Sequence, residues 1–88
     1  MMRVSEGFEL RKVGDEQVVI TIGDAVGKFN GMIKLNSTGA FIWDKMKEDV
    51  SLDELADSLA SEYSVDKAVA EKDISAFIDS LKHIGCFV

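Results

Sequence analysis

The sequence predicts an α+β domain in which three antiparallel strands come first and three helices follow. The spacing of apolar residues carries this prediction, because its period is about 2 as far as Leu35 and about 3.6 from Asn36 onward. The length agrees, since 88 residues suffice for one hydrophobic core and are too few for a second. We therefore treat residues 1–88 as a single domain.

The first third of the chain has the alternation and the turn residues of a β-meander. Apolar and polar side chains alternate in Phe8–Val13, and residues 17–22 are dense in β-branched side chains. Gly14 and Asp15 between them predict a tight hairpin turn. After a loop with glycine at each end, residues 28–35 alternate again and complete the predicted sheet.

The two faces of the third predicted strand differ in polarity. One face carries Phe29, Gly31, Ile33 and Leu35, and the other carries Lys28, Asn30, Met32 and Lys34. Lysine often protects an edge strand against aggregation, and this is the simpler interpretation of the polar face. The alternative is an edge left open so that a peptide can add to it as a further strand. In that case Lys28 and Lys34 would favour a peptide with acidic residues.

Helical signals begin directly after the third strand. Asn36 and its two neighbours offer side-chain oxygens to cap a first helix, which carries Phe41, Ile42, Trp43 and Met46. Ser51 and Glu54 have the spacing of a capping box, and the second helix then places Leu52, Leu55, Ala56, Leu59 and Tyr63 on one stripe. Three strands beside three short helices are compatible with a winged-helix shape.

The last helix is predicted to run to about Ile84. Its apolar residues, at spacings of three and four, are Val69, Ala70, Ile74, Phe77, Ile78 and Leu81. Gly85 is placed where a helix commonly ends in the left-handed conformation. The apolar residues after it are expected to pack back on the body of the domain.

Composition and charge argue against several classes of protein. Ten Lys and Arg against sixteen Asp and Glu give a net charge of −6, a handicap for binding nucleic acid. The apolar runs are too short to cross a bilayer, and the first residues lack the apolar region of a signal peptide. The single Cys86 fits a reducing compartment, so we expect a cytoplasmic protein. We also expect a monomer or weak dimer without membrane or nucleic-acid partners.

Candidate catalytic residues are scarce. His83 stands near the end of the last helix, where it complements the helix dipole, and no second histidine accompanies it. Cys86 lies among apolar residues and is best interpreted as a small buried hydrophobe. Gly23 and Gly27 lack the Lys-Ser/Thr of a phosphate-binding loop. We therefore expect no enzyme, no cofactor and no metal site.

Two segments resemble the PqqD-like family, which is named for the D protein of pyrroloquinoline quinone biosynthesis. Residues 8–16 resemble its first hairpin, and residues 35–43, reading Leu-Asn-Ser-Thr-Gly-Ala-Phe-Ile-Trp, resemble its junction of third strand and first helix. The helical half matches at Leu52, Leu55, Leu59, Glu62, Tyr63, Asp73, Ile74, Phe77, Leu81 and Gly85. The resemblance extends over residues 8–87.

The resemblance implies a relative of the winged helix-turn-helix fold that recognises ribosomally made precursor peptides. Such proteins hold the leader peptide between the third strand and the third helix, and present its core to a modifying enzyme, often a radical SAM protein. The implied peptide-binding residues are Lys28, Asn30, Gly31, Met32, Ile33, Lys34, Leu35, Asp73, Ile74, Phe77 and Leu81. The resemblance does not assign the chain to quinone synthesis itself.

Two other functions stay open at this point. A winged-helix shape also suits a DNA-binding protein, but the outer face of the second helix offers Asp53, Glu54, Asp57, Ser58 and Ser61 and no basic residue. A subunit that only stabilises a larger complex is the other alternative, because an adaptor and a subunit can use the same surface.

Overall fold

A computed structural model describes residues 2–23 and 32–87, with the side chain of His83 left out. Three strands come first, β1 (Phe8–Val13), β2 (Glu16–Thr21) and β3 (Met32–Leu35). They form one antiparallel sheet in the order β1-β2-β3. The predicted α+β meander is therefore confirmed, while the first part of the predicted third strand, with Lys28, Asn30 and Gly31, lies outside the described residues.

The hairpin between β1 and β2 turns where the sequence predicts it. Gly14 has φ of 63°, a left-handed conformation that L side chains rarely adopt. This turn sets the register in which Phe8 lies opposite Thr21. On the other side of β2, Val19 lies opposite Ile33, so the described sheet has β1 at one edge and β3 at the other.

Three α-helices follow, α1 (Ser37–Lys45), α2 (Leu52–Tyr63) and α3 (Lys67–Leu81). Both predicted helix starts are present. The Asn36 side chain accepts the N–H of Gly39 at 2.7 Å, and Ser51 and Glu54 form the reciprocal capping box of α2.

The end of the last helix differs slightly from the prediction. The α-helix stops at Leu81, and a single 3₁₀ turn, Lys82–Ile84, takes its place. Gly85 then adopts φ of 81° and ends the helical path, which is the role predicted for it. Tightening into a 3₁₀ turn is a common way for an α-helix to satisfy its last carbonyl groups.

The core consists of two apolar clusters that meet at α1. The first lies among the helices and contains Ile42, Met46, Leu55, Ala56, Leu59, Ala70 and Ile74. The second lies between sheet and helices and contains Phe8, Val19, Trp43, Leu81 and Cys86. Phe77 and Phe87 pack against both clusters. The prediction for α2 is correct for Leu55, Ala56 and Leu59, which are buried. Leu52 and Tyr63, at the two ends of the predicted apolar stripe, are 38% and 40% exposed.

The segment before β1 pairs with the connection between α1 and α2 and with the segment after α3. The N–H of Met2 donates to the carbonyl of Val50 at 2.7 Å, and the N–H of Ser5 donates to the carbonyl of Cys86 at 2.8 Å. Val4 forms a β-bridge with Phe87 and Cys86 is buried, so these two residues of the predicted apolar tail do pack back on the body. Among the described residues, no helix is both long enough and apolar enough to span a membrane.

Candidate peptide-binding groove

The outer edge of β3 is exposed along its described length. β2 pairs with one side of β3, and no strand within the described residues pairs with the other. Met32 is 61% exposed and Lys34 is also exposed, while Ile33 and Leu35 are half-buried against the second cluster. The predicted alternation is thus confirmed for these four residues, and the strand offers solvent an edge with unpaired backbone groups.

A groove runs between β3, the start of α1 and the outer flank of α3. Its apolar end has a volume of about 160 Å³ and is lined by Ile33, Lys34, Leu35, Asn36, Phe77, Ser80 and Leu81. Its acidic end has a volume of about 400 Å³ and is lined by Asn36, Thr38, Gly39, Ile42, Asp73, Ala76 and Phe77. Asn36 and Phe77 belong to both ends, so we treat them as one β3–α3 groove.

Fewer of the implied peptide-binding residues of α3 line the groove than the resemblance suggests. Phe77 is half-buried and lines both ends, Leu81 is 8% exposed at the apolar end, and Asp73 is exposed at the acidic end. Ile74 is a correction: its exposure is 0%, because its side chain points into the helical cluster. Its side chain packs in the core beneath the groove and has no exposed surface that a peptide could contact.

Several groove residues were not predicted from the sequence. Thr38 and Gly39 lie in a segment interpreted only as a helix start, and Ala76 and Ser80 lie between the apolar residues of α3. A signal was available for α3, since the lining residues Asp73, Ala76, Phe77 and Ser80 recur at spacings of three and four. They mark the flank of the helix that borders the apolar stripe.

There is little space for a side chain at the position of Gly39. It is buried in the first turn of α1, and a Cβ atom there would lie 3.0 Å from Cε1 of Phe77 and 3.2 Å from Oδ1 of Asn36. Such distances are shorter than ordinary van der Waals contact. Glycine therefore allows the ring of Phe77 to lie close against α1.

The charges at the two ends of the groove are arranged differently. At the apolar end, Nζ of Lys34 lies 3.3 Å from Oε1 of Glu16. At the acidic end, the Asp73 carboxylate has neither an ion pair nor a hydrogen bond to any described group of residues 2–23 and 32–87, from which the His83 side chain is left out. Lys34 is thus partly neutralised, which reduces the attraction for acidic peptides predicted from the sequence. Asp73 presents a negative charge that is unpaired within the described part of the chain.

The outer face of α2 carries acidic residues, as the sequence indicates. Lys67 at the start of α3 contacts both Asp53 and Asp57. Hydrogen bonds to Asp53 and then to Asp57 raise the pKa of Lys67 above its ordinary value. Phosphate contacts require clustered free cations, and this face offers none among the described residues beyond the paired Lys67.

Cys86 has the environment of a core residue. Its exposure is 0%, and Sγ lies 3.6 Å from the carbonyl oxygen of Leu81. Burial raises the pKa of the thiol to about 11, so the group is neutral near pH 7. Within the described part of the chain, no group of three or more His, Cys, Asp or Glu side chains is arranged to hold a metal ion.

The fold and the groove define a class: a small α+β domain of the winged helix-turn-helix type with an open strand edge beside its last helix. Within that class, the family model described as coenzyme PQQ synthesis protein D (PqqD) matches residues 16–86. The chain therefore belongs to the PqqD family.

Two solved structures share the fold over almost the whole chain. One, described as lasso peptide synthetase B1 complexed with the leader peptide, is 28% identical, with 99% of this chain and 96% of that chain covered and a TM-score of 0.77. The other, TbiB1 in complex with the TbiA(beta) leader peptide, is 24% identical, with 97% and 93% covered and a TM-score of 0.76. No curated protein matches the sequence.

Proposed function

We propose that the chain is a non-catalytic adaptor that captures the leader of a ribosomally made precursor peptide and presents it to a modifying enzyme. The observation that carries this proposal is the exposed edge of β3 beside the β3–α3 groove. Membership of the PqqD family supports it, and so does the similarity to a lasso peptide synthetase B1 whose structure contains a leader peptide.

The proposed binding mode is strand addition. A peptide laid along β3 gains main-chain hydrogen bonds from the unpaired groups of Met32–Leu35. Alternate side chains of an extended peptide point to the same face, so every second one faces the groove. An apolar side chain then contacts Ile33, Phe77 and Leu81 at the apolar end. The backbone supplies affinity and the groove supplies selectivity.

The partner enzyme is proposed by class only. The sequence resemblance implies a radical SAM protein, and the name of the structural neighbour makes a lasso peptide synthetase the second candidate. We propose a cytoplasmic location, because ribosomally made precursor peptides are synthesised there. Co-purification of the tagged chain with the product of a neighbouring radical SAM or synthetase gene distinguishes the two candidates.

A selection experiment tests the proposed function. A display library of random 20-residue peptides is selected on the immobilised protein, and an enriched peptide is synthesised with a fluorescent label. We expect saturable binding of a peptide with an apolar anchor residue, and an unchanged peptide mass after incubation with the adaptor alone. Failure to enrich any peptide would contradict capture, and a change in mass would contradict the non-catalytic role.

Proline variants test which edge of the sheet is used. Neighbouring residues of a strand point their N–H groups to opposite sides, so one of Met32→Pro and Ile33→Pro removes an edge-facing donor and leaves the pairing with β2 intact. That folded variant should lose binding of the labelled peptide. Of Lys12→Pro and Val13→Pro on the opposite edge strand, β1, the variant that stays folded is the matched control and should bind like the wild-type protein.

A further inference from the structure

The acidic end of the β3–α3 groove has features that strand addition alone does not require. Its volume of about 400 Å³ is more than twice the volume of about 160 Å³ at the apolar end. Its one charged lining residue, within the described chain, is Asp73, which has no partner there. The hydroxyl of Thr38 adds a further hydrogen-bond acceptor to the lining.

The start of α1 also borders this cavity, and a helix start attracts anions. Two of its N–H groups are already engaged, because Asn36 accepts the N–H of Gly39 through its side chain and the N–H of Ala40 through its carbonyl. The remaining dipole is equivalent to roughly half a positive charge at most, against the full negative charge of Asp73. The local field therefore favours a cation.

We propose that the acidic end is a specificity subsite in which Asp73 selects a Lys or Arg side chain of the leader peptide. This inference rests on the proposed function and adds a chemical class of side chain to it. The long aliphatic stem of Lys or Arg packs on Phe77 and Ala76, and its charged head reaches the carboxylate of Asp73.

Gly39 keeps this subsite continuous with the apolar end. A Cβ atom at this position would push against the ring of Phe77 and the side chain of Asn36, the two residues that both ends share. The passage between the two ends would narrow. A side chain at residue 39 would therefore weaken the binding of a peptide strand that places side chains in both ends.

The spacing of the two subsites on α3 fixes the spacing in the peptide. Asp73 precedes Phe77 by four residues and Leu81 by eight, which is about 6 Å and 12 Å along a helix. An extended peptide advances about 3.3 Å per residue. The basic residue therefore lies about two or four residues from the apolar anchor, and on the same face of the peptide strand.

The test repeats the random-peptide selection with four proteins: wild type, Asp73→Asn, Asp73→Lys and Asp79→Lys. Asp79→Lys is the matched control, since Asp79 is exposed on the same helix, lines neither end of the groove and pairs, among the described residues, with the exposed Lys82. Circular dichroism confirms that each variant is folded.

We expect wild type and the control to enrich Lys or Arg two or four residues from the apolar anchor. Asp73→Asn should lose this preference, and Asp73→Lys should replace it with Asp or Glu while keeping the anchor. For the labelled wild-type peptide, changing its basic residue to Gln should weaken binding about two- to fivefold, as expected for an exposed ion pair. High salt should remove that difference.

Unchanged preferences in Asp73→Lys overturn the subsite and leave peptide capture standing. Enrichment of the basic residue at an odd spacing from the anchor also overturns the subsite, because the two side chains would then lie on opposite faces. If wild type enriches no peptide, the proposed function fails and the subsite fails with it.

Discussion

The ring of Phe87 meets the ring of Phe77 edge to face, with centroids 6.2 Å apart and an interplanar angle of 63°. Phe87 also lies 5.8 Å from Trp43 of α1. Phe87, in the segment after α3, therefore packs between Trp43 of α1 and Phe77, which lines both ends of the groove. The position of Phe77, and with it the shape of the groove, depends on Phe87.

Phe87→Ala should weaken both stability and peptide binding. Loss of two aromatic contacts and of half-buried area should lower the free energy of unfolding by about 1–3 kcal/mol. Urea denaturation measures this loss, and fluorescence anisotropy with the selected peptide measures binding. Phe87→Leu is the control and should lose less of each. Equal affinity of Phe87→Ala and wild type would show that Phe77 is held without Phe87.

Trp43→Ala should destabilise the domain more than any single change in the groove. Trp43 is 1% exposed and belongs to the cluster that joins sheet and helices. Truncation of a buried Trp costs about 3–5 kcal/mol, a large share of the stability of a small domain. Thermal unfolding measures the effect, and a melting temperature within a degree or two of wild type would contradict the assigned position.

Gly39→Ala should separate binding from stability. Alanine gains up to about 1 kcal/mol of helix propensity, and the ring of Phe77 can shift into the open groove to relieve the contact. We expect a melting temperature close to wild type and about fivefold weaker peptide binding. Ser37→Ala, an exposed change in the same helical turn, should leave affinity unchanged. Unimpaired binding by Gly39→Ala would mean that the passage is not used.

Cys86 should react with thiol reagents only when the domain unfolds. Burial raises the pKa of the thiol to about 11, against 9.0 for a free thiol, so the group stays neutral near pH 7 and out of reach of reagents. The folded state holds this proton more tightly than the unfolded state, so the contribution to stability is complete below pH 9 and declines as pH approaches 11. Urea titrations at increasing pH test this direction, with Cys86→Ala as the control that lacks the cysteine's share of the decline.

At Asn36 the spacing of the apolar residues changes from a period of about 2 to a period of about 3.6. This change predicts the fold, because each period places the apolar side chains of a strand or a helix on one buried face. Ile33 and Leu35, Trp43 and the Ser51–Glu54 box are accordingly where the sequence places them. Period does not decide which flank of a buried stripe borders a groove, so it does not correct the resemblance, which implies that Ile74 lies in the groove although it lies in the core.

Other groove features depend on contacts between distant elements. Nothing local to Gly39 indicates that Phe77, almost forty residues later, packs against it. The ion pair of Lys34 with Glu16 likewise follows from strand register. Lys28, Asn30 and Gly31 stay predictions, since they lie outside the described residues.

The central claim is that a peptide adds to the edge of β3. A ¹⁵N NMR titration of the wild-type protein with the selected peptide tests it most directly. We expect the largest amide shifts in Met32–Leu35, with smaller ones at Asp73, Phe77 and Leu81, and slowed hydrogen exchange at the edge-facing amides of β3. Largest shifts in α2, around Leu52–Tyr63, with β3 unaffected, would contradict the claim.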